Sequence, residues 1–143
     1  MNREEILKKV HTRTYYLAES KKSEIPEMAF MQTSEDNTDI LNDYLDAAID
    51  DMKAYMNKRL VSFEWEGDVI TVVSERDKAD LMTQSLDKAM ADYLVEETIY
   101  RWASDTFPKF ADRELRDKKL DNLKDVVCSL APIVRRRATT MGV

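Results

Sequence analysis

The stretch "TDILNDYLDAAIDDMKAYMNKRL", residues 38–60, decides how the chain reads. At ~100° of helix per residue, Leu41, Leu45, Ala48, Met52 and Tyr55 fall on one face. Asp39, Asp43, Asp46 and Asp50 fall on the opposite face, at spacings of 4, 3 and 4. Thr38 is a fitting N-cap, with Ser34 as the alternative. The acidic first turn suits the positive end of the helix dipole, and Lys58 and Arg59 suit the negative end. Three independent signals therefore specify one amphipathic helix with a row of aspartates along its outer side.

Working outward, residues 3–21 carry a partial apolar stripe of Ile6, Leu7, Val10 and Leu17 behind a possible Asn2 cap, and predict a first helix. Residues 22–37 contain Pro26, which disfavours helix at Ile25, and an unperiodic group of Met28, Ala29, Phe30 and Met31. They predict a connecting loop packed on the core. Beyond residue 60, Val61, Phe63 and Trp65 alternate with Ser62 and Glu64, and Val69 to Val73 is rich in β-branched residues. With Glu66-Gly67-Asp68 between them, residues 61–73 read as a hairpin with a three-residue loop. A long helix from about 77 to 105, capped by Ser74 or Asp77, has the central stripe Met82, Leu86, Ala89, Tyr93 and Tyr100. Leu81, Met90, Leu94, Ile99 and Trp102 widen that stripe. Pro108 suits the first turn of a further helix to about 130, with Leu120, Leu123, Val127 and Leu130 on one face, kinked or ended by Pro132. The fold expected is mainly α: a single domain, 1–143, of three to four helices with one inserted β-hairpin and a basic C-terminal tail.

The totals agree. Gly 2 and Pro 3 in 143 residues leave few tight turns, which favours long helices over many strands. Hydrophobic residues at 43% with charged residues at 35% suit a globular chain rather than a disordered one. The net charge of −6 disfavours non-specific binding to DNA or anionic lipid. It is unevenly spread. Residues 1–22 hold six basic and three acidic groups, residues 35–53 one basic and seven acidic, and residues 109–137 nine basic and five acidic. An acidic middle between basic ends suits contact with further copies of the chain, or with a partner of either sign. No apolar run has signal-peptide or membrane-spanning character, so a soluble intracellular protein is expected.

Chemistry is sparse. His11 is the one histidine and has no metal-spaced partner, so it reads as structural or surface. Cys128 is the one cysteine; it excludes an internal disulfide and reads as a small core residue beside Val127. Glu96 and Glu97 are a carboxylate pair of the kind that can divide acid and base roles, but Arg101 lies at i,i+4 from Glu97, and a local ion pair is the preferred reading. The aspartate row reads first as a solvated face, next as an electrostatic contact surface, and last as a metal site, because divalent sites usually gather ligands from several elements. Arg135, Arg136 and Arg137 can grip phosphate or carboxylate groups, or can simply suit a helix C-terminus. Phe63 and Trp65 are either core residues or anchors for a partner. Two glycines cannot make a phosphate-cradling loop. No catalytic, cofactor or metal residue is assigned, no sequence-specific nucleic-acid reading is expected, and the chain is expected to act by contact.

Residues "ILNDYLDAAIDDMKAYMNKRL" resemble the central helix of the head–tail connector (adaptor) proteins of long-tailed phages. In that family an acidic stretch leads into a leucine-bearing helix with paired alanines, a tyrosine and then a basic residue. Here those positions are Asp39, Leu41, Leu45, Ala47, Ala48, Ile49, Tyr55 and Arg59. A following helix that ends in aromatics is matched by "ADYLVEETIYRWASDTF", and the resemblance covers roughly residues 35–106. It implies a non-enzymatic virion protein without cofactor, located at the virion neck. Its partners would be portal and tail or neck proteins, and it would form a ring of about a dozen copies. The hairpin and the longer basic C-terminal region depart from the smaller members. The alternative is an intracellular helical adaptor or regulator that binds one protein partner.

Overall fold

A computed structural model describes residues 3–59, 62–66, 69–73 and 80–130. The four helices are α1 (Arg3–Lys21), α2 (Thr38–Arg59), α3 (Asp80–Thr106) and α4 (Arg113–Leu130). Two strands, β1 (Ser62–Glu66) and β2 (Val69–Val73), lie in the chain between α2 and α3. The possible caps Asn2, Ser74 and Asp77, and Pro132 with the arginine triplet, lie outside the described residues. So do the side chains of Lys58, Arg59, Phe63, Trp65, Leu81, Met82 and Leu130.

The architecture is organised around α3, which packs against α1, α2 and α4 and against the short 3-10 segments before and after it. From Tyr93 to Ile99 every residue of α3 is buried. A helix buried on every side belongs at the middle of a bundle. Leu94 and Met90 are fully enclosed, and α2 brings Leu41, Leu45, Ala48, Met52 and Met56 to the same cluster. Ile6 and Val10 of α1 and Leu123 and Val127 of α4 complete it. The apolar stripe of α2 is thus its core face, and Tyr55 is partly buried at its edge.

Residues 22–37 are more ordered than a loop. They hold two 3-10 helices, Pro26–Met31 and Glu35–Asn37. Pro26 occupies the first turn of the former, where its missing N–H costs nothing. Met28 and Met31 are buried while Phe30 is 71% exposed, so the close-set apolar residues divide between core and surface. The Met31 carbonyl accepts a 2.9 Å hydrogen bond from Trp102 Nε1, which ties this segment to α3. Ser34 and Asn37 close the second turn, with the Ser34 N–H donating to Asn37 Oδ1 at 3.0 Å. Thr38 then enters α2, its hydroxyl bonded to the Glu35 carbonyl at 2.6 Å.

The expected fold is corrected at the hairpin. The class is mainly α on the strength of the four helices. Strand pairing among the described residues is confined to one antiparallel ribbon, β1 with β2, that joins no larger sheet. Glu66 pairs with Val69, which leaves Gly67 and Asp68 as the connection in place of the expected three-residue loop. A lone pair of strands is marginal in water, and β1 lies against α2. The last helix is also displaced. Pro108 opens a separate 3-10 turn, Pro108–Phe110, and α4 starts at Arg113, where Asp112 Oδ1 accepts from the Leu115 N–H at 3.0 Å.

Candidate functional site

Asp39, Asp43, Asp46 and Asp50 are all exposed along the outer side of α2. Asp46 is held by Arg3 of α1 at 2.6 Å, and the same guanidinium donates to Asn42 Oδ1 at 3.2 Å. Asp39, Asp43 and Asp50 form an ion pair with no described residue. The row therefore presents three carboxylates to solvent, beside one tethered to the neighbouring helix. Among the described residues no group of three or more His, Cys, Asp or Glu is placed to hold a metal ion. No described helix is long and apolar enough to cross a membrane.

The buried charges lie on α3. Glu96 and Glu97 each have 5% of their side chain exposed. Burial of a carboxylate is unfavourable unless a cation and hydrogen bonds replace its water. Glu97 receives both: Arg101 Nε at 3.0 Å, as its i,i+4 position suggests, and Arg116 of α4 at 3.2 Å. Arg101 reaches on to Asp51 of α2 at 2.9 Å. Arg116 also lies 2.8 Å from Asp117 and sits over the Tyr100 ring, 4.6 Å from its centroid. Burial works against the Arg116 charge, but the Glu97 hydrogen bond and charge outweigh it and raise its pKa. Glu96 is paired with Arg13 of α1. The two glutamates thus fasten α3 to α1 and α4, and Arg101 carries the tie on to α2. Their ion-paired state fits a structural clamp better than divided acid and base roles.

Tyr93 stands beside this clamp. Burial first, then the Glu97 and Asp51 charges, push its pKa up to about 12. Below pH ~10 both folded and unfolded states keep the phenol proton. Between ~10 and ~12 the unfolded chain loses it first, so stability falls as pH rises. The expected loss by the top of that window is ~2–3 kcal/mol. Urea unfolding of the wild type and of Tyr93→Phe, across this range, should show the extra alkaline loss in the wild type only.

The remaining sequence candidates divide. His11 is half-buried and its Nδ1 lies 2.7 Å from Thr33 Oγ1, which in turn lies 2.9 Å from the buried Thr14 hydroxyl. It belongs to a polar seam between α1 and the chain entering α2. Cys128 is exposed, which corrects the core reading. Leu123 and Val127 carry the buried line of α4, and Cys128 stands ~100° round the helix from Val127. Phe63 and Trp65 have their backbones in β1, opposite Val72 and Ile70.

Two features had no sequence signal. One is the long-range half of the clamp, Arg13 and Arg116. The other is a pair of adjoining clefts, about 550 and 500 Å³, beside α3 and α4. Lys8 and Lys9 of α1 line the first, Lys88 of α3 and Lys118 of α4 the second, and Lys119 with Asp92 is common to both. No protein-family pattern, curated protein or solved structure matches this chain.

Proposed function

We propose that the protein is a phage or prophage virion structural subunit, a head–tail connector that assembles as a ring between portal and tail. The observation that supports it most is the α2 face: four exposed aspartates in one row on a helix whose other side is locked into the core. Such a wall, turned towards a DNA channel, repels phosphates and lets DNA slide rather than adhere. Turned towards a neighbour, it attracts a basic surface. The Phe63–Trp65 strand and Arg135, Arg136 and Arg137 are the candidate contacts to the portal and tail or neck proteins.

The test begins with the DNA on either side of the gene. Open reading frames for portal, terminase and capsid proteins are expected there, and a portal mixed with this protein should gain a layer of ring density in electron micrographs. Metabolic or regulatory neighbours without phage genes would refute the reading.

Replacing Asp39, Asp43, Asp46 and Asp50 together by Asn separates surface from fold. Relief of like-charge spacing and loss of the exposed Arg3 pair nearly offset each other, so stability should change by under ~1 kcal/mol. Helix content by circular dichroism should be unaltered. Particle assembly or infectivity should fall, and unchanged yields of infectious particles would remove the acidic face from the mechanism.

A further inference from the structure

We infer that the lysine-lined clefts beside α3 and α4 receive the acidic face of α2 from a second copy of this chain, which makes the contact between copies head-to-tail. The inference rests on the ring reading above and names its interface.

Three observations carry it. First, Lys8, Lys9, Lys88, Lys118 and Lys119 come from three helices to one concave surface, and none of them has an ion pair with a described residue. Second, the acids on that surface do not cancel them. Glu96 is paired with Arg13, and the lining otherwise carries five lysines and only two further acids, Glu5 and Asp92. Third, the complementary surface is on the same molecule. Asp39, Asp43 and Asp50 lack an ion partner among the described residues, and the row spans ~16 Å at 1.5 Å per residue.

Each chain therefore carries two charged surfaces of opposite sign on different helices. Matching them uses a different patch on each partner, so the contact is heterologous. Heterologous contacts propagate, and they close into a ring where the rotation permits. A second copy fits this cleft because its α2 row supplies, along one helix face, carboxylates that lack an ion partner among the described residues. Exposed ion pairs are individually weak and screened by salt, so several must act together.

The experiment is sedimentation velocity on the full chain with matched charge reversals. Lys9→Glu with Lys119→Glu reverses the cleft; Asp43→Lys with Asp50→Lys reverses the row. The wild type should associate with rising concentration at low salt, weakening about tenfold between roughly 0.05 and 0.5 M salt. Each reversed variant alone should sediment as a monomer, and an equimolar mixture of the two should associate again. Circular dichroism checks that both are folded. If a reversal unfolds the chain, Lys9→Gln with Lys119→Gln should give the same weakening.

A wild type that stays monomeric at every concentration overturns the inference, as does a reversed variant that associates like the wild type or a mixture that does not. Tight binding of a fluorescent oligonucleotide that is lost in Lys9→Glu with Lys119→Glu also overturns it. None of these outcomes touches the connector reading, which the portal micrographs decide separately.

Discussion

Leu94→Ala should lower the unfolding free energy by ~3–4 kcal/mol, near the upper part of the range for a buried leucine. Leu94 is fully enclosed at the middle of α3, the helix that packs against α1, α2 and α4. Truncation removes the transfer free energy of the lost methylenes and leaves a cavity that three surrounding helices cannot all relax into. At this chain length the melting temperature should drop by about 10 °C. Urea denaturation reads the effect as a lower midpoint with an unchanged slope. Phe30→Ala serves as the control: that ring is 71% exposed, and its loss should change stability by under ~0.5 kcal/mol. A Leu94→Ala effect as small as the control's would mean that α3 is not the axis of the bundle.

Glu97→Ala has the second largest expected effect, ~2–4 kcal/mol. Removing one partner of a buried pair leaves the other charge uncompensated, which costs more than the pair itself contributes. Here two guanidiniums lose a partner. Arg101 keeps Asp51, and Arg116 keeps Asp117 and the Tyr100 ring, so the loss falls short of a fully stranded charge. Glu97→Gln keeps the shape and one acceptor but not the charge, and should cost less than Glu97→Ala. The decisive measurement is a double-mutant cycle with Arg116→Ala. A coupling of ~1 kcal/mol or more is expected for residues in direct contact, and additive effects would show that the clamp is only an arrangement of neighbours.

The two halves of this clamp show what a sequence reveals and what it hides. Glu97 and Arg101 are four residues apart on one helix, so their pairing is legible from spacing. Arg13 is 83 residues from Glu96, and no local pattern joins them. The signal that was present is different: two glutamates set within the apolar run from Tyr93 to Ile99 imply buried carboxylates, and buried carboxylates imply cations from elsewhere. The course of α2 was legible from its period and charge gradient, but its cap was not: Thr38 is already helical and its hydroxyl donates back to the Glu35 carbonyl, while Ser34 heads the preceding 3-10 turn. The segment of residues 22–37 was not, because a 3-10 turn is too short to display a period and Met28, Phe30 and Met31 look alike until packing separates them. Cys128 was misplaced by its buried neighbour Val127, although one position along a helix turns a side chain away from the core. The lysine clefts were invisible because they are assembled from three helices, and only the packing of α1 and α4 on α3 brings those lysines together.

The enclosure of α3 has a further consequence, in time rather than energy. Its backbone amides from Tyr93 to Ile99 have protein on every side, so no fraying of a single outer helix gives water free access to them. Their exchange with deuterium should therefore approach the rate set by global opening of the whole bundle. Amides of α1, α2 and α4, each of which keeps one face in solvent, should exchange through smaller and more frequent openings. The charged outer helices can thus open and adjust while the axis that holds them stays closed.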